Sequence, residues 1–111
     1  MKLLVWNKEN SIEDVIKKDK IVILEFGSEV CGACKSINYK LSNWIEEREG
    51  IVGYYIPVED NMELTAELGI FSSPVVMVYV EGALTIREAG YFGLEQILKD
   101  ILRYKNLLED K

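Results

Sequence analysis

The sequence predicts an α/β chain: a three-layer α/β/α sandwich around a central mixed sheet, with the element order βαβαβαββα. Three observations carry that expectation. Short β-branched apolar runs alternate with segments of helical periodicity, which implies right-handed crossovers and helices on both faces of a sheet. Two of the runs, residues 21–26 and 75–80, are almost continuously apolar, as strands covered on both faces are. The second run leads through Glu81-Gly82 into another strand-like segment, a tight-hairpin pattern that makes the last two strands antiparallel. The chain has 111 residues without repeat or linker, so one domain spanning residues 1–111 is expected.

The elements follow in order. Residues 3–6 read as a short strand. Ser11, with Asp14 three residues on, reads as a helix start of capping-box type, and the helix carries Ile12, Val15 and Ile16. Residues 21–26 read as the central strand. Gly27-Ser28 ends it, and Ile37, Leu41, Trp44 and Ile45 then mark one face of a second helix. Residues 51–56 form the next strand, stopped by Pro57. Asp60 or Asn61 should cap a short helix through Leu64 and Leu68 that ends at Gly69, with apolar Ile70 beyond a left-handed stop. After the hairpin strands 75–80 and 83–88, Leu94, Ile97, Leu98, Ile101, Leu102 and Leu108 mark a C-terminal amphipathic helix.

Composition removes several function classes. Nineteen acidic and thirteen basic residues give a net charge of -6, and no Lys/Arg block stands out, so neither nucleic acid nor an anionic membrane is an expected partner. The N-terminal apolar patch is too short for a signal-peptide core and the run from Pro74 to Val80 is too short to span a bilayer; a soluble, cytoplasmic protein is expected. No glycine-rich phosphate loop is present. Trp6 and Trp44 read as core residues, and Glu46-Glu47 and Glu59-Asp60 as solvated or capping pairs, not a metal site. The sequence contains no His, which excludes Ser-His and Cys-His nucleophiles and leaves Cys, carboxylates, Lys or Tyr for any catalysis.

The two cysteines, Cys31 and Cys34, are three positions apart, a spacing that random placement in such a chain produces in roughly 2% of cases. A disulfide closing so small a loop stabilises little by chain entropy, so its purpose would be chemical. In the reducing cytoplasm such a pair is redox-active or metal-binding rather than structural. The pair falls where the central strand hands over to a helix. Residues three apart on a helix share a face, close enough for a reversible disulfide. Cys31 would face unpaired N–H groups and the positive end of the helix dipole, which favour its thiolate; it is the expected nucleophile. Cys34, a turn further in, is the expected resolving thiol. Lys35 adds a positive charge nearby and Glu29 a negative one.

Here the chain resembles the thioredoxin family. The resemblance is carried by Cys31-Gly32-Ala33-Cys34 after a central strand, Ser73-Pro74 opening the fourth strand and Gly90 after the fifth, and covers roughly residues 21–102. It implies the thioredoxin fold and a thiol-disulfide oxidoreductase that exchanges its dithiol with protein disulfides through a mixed disulfide on Cys31. Ser73-Pro74 would be a cis-proline loop offering backbone groups to an extended substrate, with Gly90 lining the same groove and Val30, Gly32 and Ala33 completing the substrate-binding set. Partners implied are protein disulfide substrates and a thioredoxin-reductase-type electron donor; the protein is expected to be a monomer without metal or cofactor.

Four departures qualify the resemblance. Gly27 and Val30 stand where family members usually carry Trp, so the docking surface is altered. Ala33 replaces a Pro between the cysteines, which restores a backbone N–H. Glu25 stands where the family has a buried Asp thought to take the resolving thiol's proton; if buried, its pKa should be raised, which suits that role. Tyr55 aligns with a Lys that often neighbours the acid, so that charge is missing. Two other readings remain: a redox-inactive or specialised adaptor that binds a peptide beside Pro74, and metal or iron-sulfur delivery, which would need two ligands beyond Cys31 and Cys34.

Overall fold

The computed structural model describes residues 3–109. Met1 and Lys2, the start of the N-terminal apolar patch, lie outside the described residues, as do Asp110 and Lys111. The elements are β1 (Leu3–Val5), α1 (Ile12–Lys18), β2 (Ile21–Gly27), α2 (Gly32–Glu46), β3 (Ile51–Pro57), α3 (Met62–Glu67), β4 (Val75–Val80), β5 (Ala83–Ala89) and α4 (Leu94–Glu109), in the expected order. They form a five-stranded sheet of order β1-β3-β2-β4-β5. β1, β3 and β2 run parallel, and β4 and β5 are antiparallel additions.

β2 lies at the centre because every residue in it is buried and it pairs along its length on both sides. Its side chains alternate between two cores, as the two-residue period of a strand demands. Val22, Leu24 and Phe26 pack with Ile12 and Val15 of α1, and Leu64 of α3 with Leu68 at its C-cap close that side. Ile21 and Ile23 pack with Leu41 and Ile45 of α2 and with Leu94, Ile97 and Ile101 of α4. By the same alternation Glu25 and Gly27 point toward α2.

Local chemistry sets the element ends. The Ser11 hydroxyl accepts from the Asp14 backbone N–H at 3.1 Å, the N-cap that the sequence suggests. Gly69 is left-handed (φ 69°), its N–H donates to the Ala66 carbonyl at 3.2 Å, and Ile70 N–H donates to Thr65 at 2.8 Å, a Schellman stop for α3. Glu81 and Gly82 both have positive φ, as a two-residue type I′ hairpin requires. Two details differ from expectation. A 3-10 turn, Val58–Asp60, precedes α3, and Asn61 takes the N-cap position without capping: its side-chain amide donates backward to the Pro57 carbonyl at 2.8 Å. β1 ends at Val5 rather than at residue 6, although the Trp6 backbone N–H still donates to the Tyr55 carbonyl at 3.0 Å; its indole N–H donates to the Asn10 carbonyl at 3.0 Å. Trp44 is half-buried beneath α2, with the Arg48 guanidinium over its ring at 4.3 Å.

Gly53 is required by packing rather than by a turn. A Cβ there would lie 2.5 Å from Ile45 Cδ1 and 2.8 Å from Leu3 Cδ1, both held in the α2-side core. Gly53→Val should therefore destabilise the fold by about 1–3 kcal/mol through overpacking. Urea unfolding would show this as a lower midpoint with an unchanged slope; an unchanged midpoint would mean that Leu3 and Ile45 move aside freely.

Candidate active site

The site is built at the end of the sheet where β2 stops. The chain leaves Gly27, turns through Ser28, and the Cys31 N–H donates to the Ser28 carbonyl at 3.2 Å before α2 begins. Cys31 is the N-cap of α2, and its sulfur accepts from the Cys34 backbone N–H at 3.1 Å. A sulfur so placed sits against the unpaired donors and the positive pole of a 15-residue helix, which stabilise negative charge on it.

Cys31 and Cys34 form a disulfide with Cα atoms 5.3 Å apart. Cys31 is partly exposed, whereas Cys34 is 1% exposed. Only Cys31 is open to another molecule. Among the described residues no cluster of three or more His, Cys, Asp or Glu could hold a metal.

The register of the sheet brings in the other predicted residues. Phe26 of β2 pairs with Val75 of β4, so Pro74 lies beside the end of β2. Val75 pairs in turn with Ala89, and Gly90 N–H donates to the Pro74 carbonyl at 3.0 Å. The Ser73-Pro74 bond is cis. Val30, Gly32 and Ala33 are exposed around Cys31. Ser73 is half-buried and Pro74 buried.

Glu25 is fully buried, one pleat below Gly27 on the α2 side. Neither carboxyl oxygen has a hydrogen-bond partner. Burial pushes its pKa from 4.5 up to about 8; the Asn38 side chain favours the anion and pulls the other way, without completing a hydrogen bond to it. An unpartnered carboxylate in such a place would cost several kcal/mol, and the neutral acid avoids that.

Gly27 and Tyr55 explain each other. A Cβ at position 27 would lie 2.9 Å from Cys34 Cβ and 2.9 Å from Tyr55 Cε1, so the tyrosine ring and Cys34 together occupy the space that a side chain at 27 needs. Tyr55, the residue of β3 that pairs with Glu25, has its own pKa raised, first by burial and then by the negative charges of Glu25, Glu59 and Glu29. A cleft of about 330 Å³ between Tyr55, Asn38, Glu29 and Lys35 reaches Cys34 from this side.

Sequence reading passed over Asn38, which sits four residues after Cys34 on the same helix face; that i, i+4 spacing is the signal that finds it. It also passed over Phe71 and Tyr91, which flank the Pro74 turn and the Gly90 strand end. Nothing in their local pattern marks them, since an exposed aromatic in a loop is apparent only once the loop is placed.

A dithiol-disulfide couple at a helix start, over a buried acid and beside a cis-proline turn, defines a class of small redox domain. Comparison with known proteins agrees. The thioredoxin family profile matches residues 2–103, and the chain belongs to the thioredoxin family. It is similar to a thioredoxin-like protein, YdfQ, of Bacillus subtilis, at 25% identity over 99 residues, covering 89% of this chain and 88% of that one. The fold matches spinach chloroplast thioredoxin f with a TM-score of 0.80 at 24% identity, over 94% of both chains. It also matches a structure described as a complex of ferredoxin:thioredoxin reductase and thioredoxin f2, with a TM-score of 0.77 at 24% identity over 93% and 96% of the chains. The protein is a thiol-disulfide oxidoreductase of the thioredoxin fold.

The buried acid makes stability depend on pH with a definite sign. Between about 4.5 and 8 Glu25 holds its proton in the folded disulfide form and has lost it in the unfolded chain, so the folded state binds more protons and stability falls as pH rises. The contribution is intact below 4.5 and fully lost above 8. At about 1.36 kcal/mol per pH unit the span is at most ~5 kcal/mol. Urea unfolding of the disulfide form at pH 5 and pH 8.5 should therefore show wild type losing several kcal/mol relative to Glu25→Gln; parallel profiles would mean that water reaches the carboxyl.

Proposed function

We propose that this protein reduces protein disulfides in the cytoplasm as a monomeric single domain, residues 1–111, with Cys31 as the attacking and Cys34 as the resolving sulfur. The observation that carries this reading is the asymmetry of the pair: Cys31 is open at the helix N-cap while Cys34 is sealed above the Glu25 face. In the dithiol form the Cys31 thiolate attacks one sulfur of a substrate disulfide. That S–S bond breaks, a Cys31–substrate bond forms, and the leaving substrate sulfur takes a proton. Cys34 then gives its proton to Glu25 in the molecules whose carboxyl is ionised, a minority at pH 7 that grows toward pH 8, and attacks the Cys31 sulfur, which releases the second substrate thiolate and closes the Cys31–Cys34 disulfide. Two electrons have passed to the substrate.

A dithiol donor runs the steps in reverse. Its thiolate attacks Cys31, and Cys34 leaves as a thiolate that collects the proton from Glu25. A pKa near 8 suits that direction, because the acid is loaded in the disulfide form at neutral pH. The donor proposed is a thioredoxin-reductase-type protein, in line with the fold neighbour described in complex with ferredoxin:thioredoxin reductase. The substrate segment would lie in extended form across Val30, Gly32 and Ala33 on one side and Ser73, Pro74 and Gly90 on the other. A close cysteine pair suits a reducing compartment, and no described helix is long and apolar enough to cross a membrane.

Insulin reduction driven by dithiothreitol tests the reading. Cys31→Ser should reduce the rate to that of dithiothreitol alone, and Cys34→Ala should stall with substrate bonded to Cys31, visible as a mass adduct. Glu25→Gln should slow turnover at pH 7 by about tenfold or more and remove its rise toward pH 8. Equal rates for wild type and Cys31→Ser would leave a peptide-binding adaptor; unchanged turnover in Glu25→Gln would remove the acid from the mechanism.

A further inference from the structure

The four most exposed large hydrophobic side chains among the described residues are Tyr91 (107%), Val30 (95%), Phe71 (88%) and Met62 (73%). They come from four separate segments, yet the fold gathers them at one end of the sheet. Val30 precedes Cys31. Phe71 precedes the Pro74 turn, which lies beside the end of β2 through the Phe26-Val75 pairing. Tyr91 follows Gly90, whose N–H is bonded to Pro74. Met62 opens α3, and β3 delivers that segment to the same end, since Gly27 pairs with Pro57. Scattered exposed apolar residues are ordinary; the most exposed ones converging on the rim of a reactive disulfide mark a surface that another chain covers.

Between α3 and the Pro74 turn lies a groove of about 450 Å³ lined by Val58, Met62, Ile70, Phe71 and Ser73, with Glu59 as its one charged lining residue. Asp60, Glu63 and Lys8 line the adjoining depression, which shares Glu59 and Met62, so three carboxylates there face one cation. The cations of this neighbourhood are turned to backbone. Lys8 Nζ donates to the Asp60 carbonyl at 2.7 Å, and Arg87 donates to the Leu68 and Gly69 carbonyls at 2.7 and 3.0 Å. Lys35 lies on the other side of the cysteine pair, beside Glu29. The groove is apolar with an acidic border.

We propose that this groove selects the substrate: an extended protein segment that carries a bulky apolar residue near its disulfide cysteine and a Lys or Arg close by. The apolar residue enters between Met62 and Phe71, and the cation pairs with Glu59 and the neighbouring Asp60 and Glu63. Complementary charge steers such a segment toward Cys31 and disfavours acidic ones. The proposal rests on the disulfide-reduction reading above, and names the class of protein that the reaction serves.

The test compares three disulfides with dithiothreitol as reductant: a bridged peptide with Phe and Lys beside cysteine, the same peptide with Glu for Lys, and 2-hydroxyethyl disulfide, which is too small to use the groove. At low salt the Lys peptide should exceed the Glu peptide about tenfold or more in kcat/KM, with the ratio shrinking in 0.5 M salt, where the screening length falls to a few Å. Glu59→Lys should abolish or invert that ratio. Phe71→Ser should lower the ratio of peptide to 2-hydroxyethyl disulfide rates about tenfold. Equal rates on the two peptides, or ratios that neither substitution moves, would overturn the proposal. So would a concentration-dependent dimer in sedimentation that Phe71→Ser dissociates, since a second copy would then be what covers the patch. Failure to reduce 2-hydroxyethyl disulfide would instead remove the oxidoreductase reading on which the proposal stands.

Discussion

Pairing of β2 on both of its edges is the constraint from which the rest of the site follows. Its residues meet β3 in parallel from Ile21 to Gly27 and β4 in antiparallel from Ile21 to Phe26. A one-residue slip on either side would turn the Glu25 side chain from the α2 face into the core behind Phe26 and bring a different residue opposite Val75. The same register sets where α2 starts, where the Pro74 turn sits and where β5 returns. Residues far apart in the chain, Cys31, Pro74 and Gly90, are thus brought to one end of the sheet, and the Gly90 N–H bond to the Pro74 carbonyl fastens two of them.

On that frame the chemistry is a balance of two environments a helical turn apart. The N-cap of α2 exposes Cys31 to water and to backbone donors that favour negative charge. Immediately beneath, the interior of the α2-side core disfavours charge, seals Cys34 and holds Glu25 as a neutral acid. Two sulfurs three residues apart therefore meet opposite electrostatic conditions. With no imidazole in the chain, this difference is what supports the proposed division into an attacking and a resolving sulfur.

Gly27 and Tyr55 share one space in this neighbourhood. Gly27 leaves room that Tyr55 and Cys34 fill, so the side chain at 55 covers the acid with a ring instead of placing a cation beside it. The exposed apolar surface at this end comes from Val30, Phe71, Tyr91 and Met62, at positions spread through four segments.

Much of this was legible in the amino-acid order, and the rest was not, for a physical reason that differs residue by residue. Element types and order, the hairpin at Glu81-Gly82, the Ser11 cap, the Gly69 stop and the strand-to-helix position of the cysteine pair are local: propensity, periodicity and turn chemistry act within a few residues and can be read there. The failure of Asn61 to cap α3 was not legible, because the Pro57 carbonyl competes for its side chain only once the 3-10 turn brings it within 2.8 Å. Whether Glu25 is solvated or buried depends on both neighbouring strands and on α2, so its raised pKa belongs to the packing rather than to the strand. The groove under Phe71 and the gathering of Val30, Tyr91 and Met62 are set by sheet register across some sixty residues of chain. By itself, then, the sequence determined the kind of fold and the kind of chemistry, since both are written in short-range patterns. Only the tertiary structure decided the state of the acid and the exposed apolar rim around the disulfide, because burial and long-range register are properties of the assembled chain.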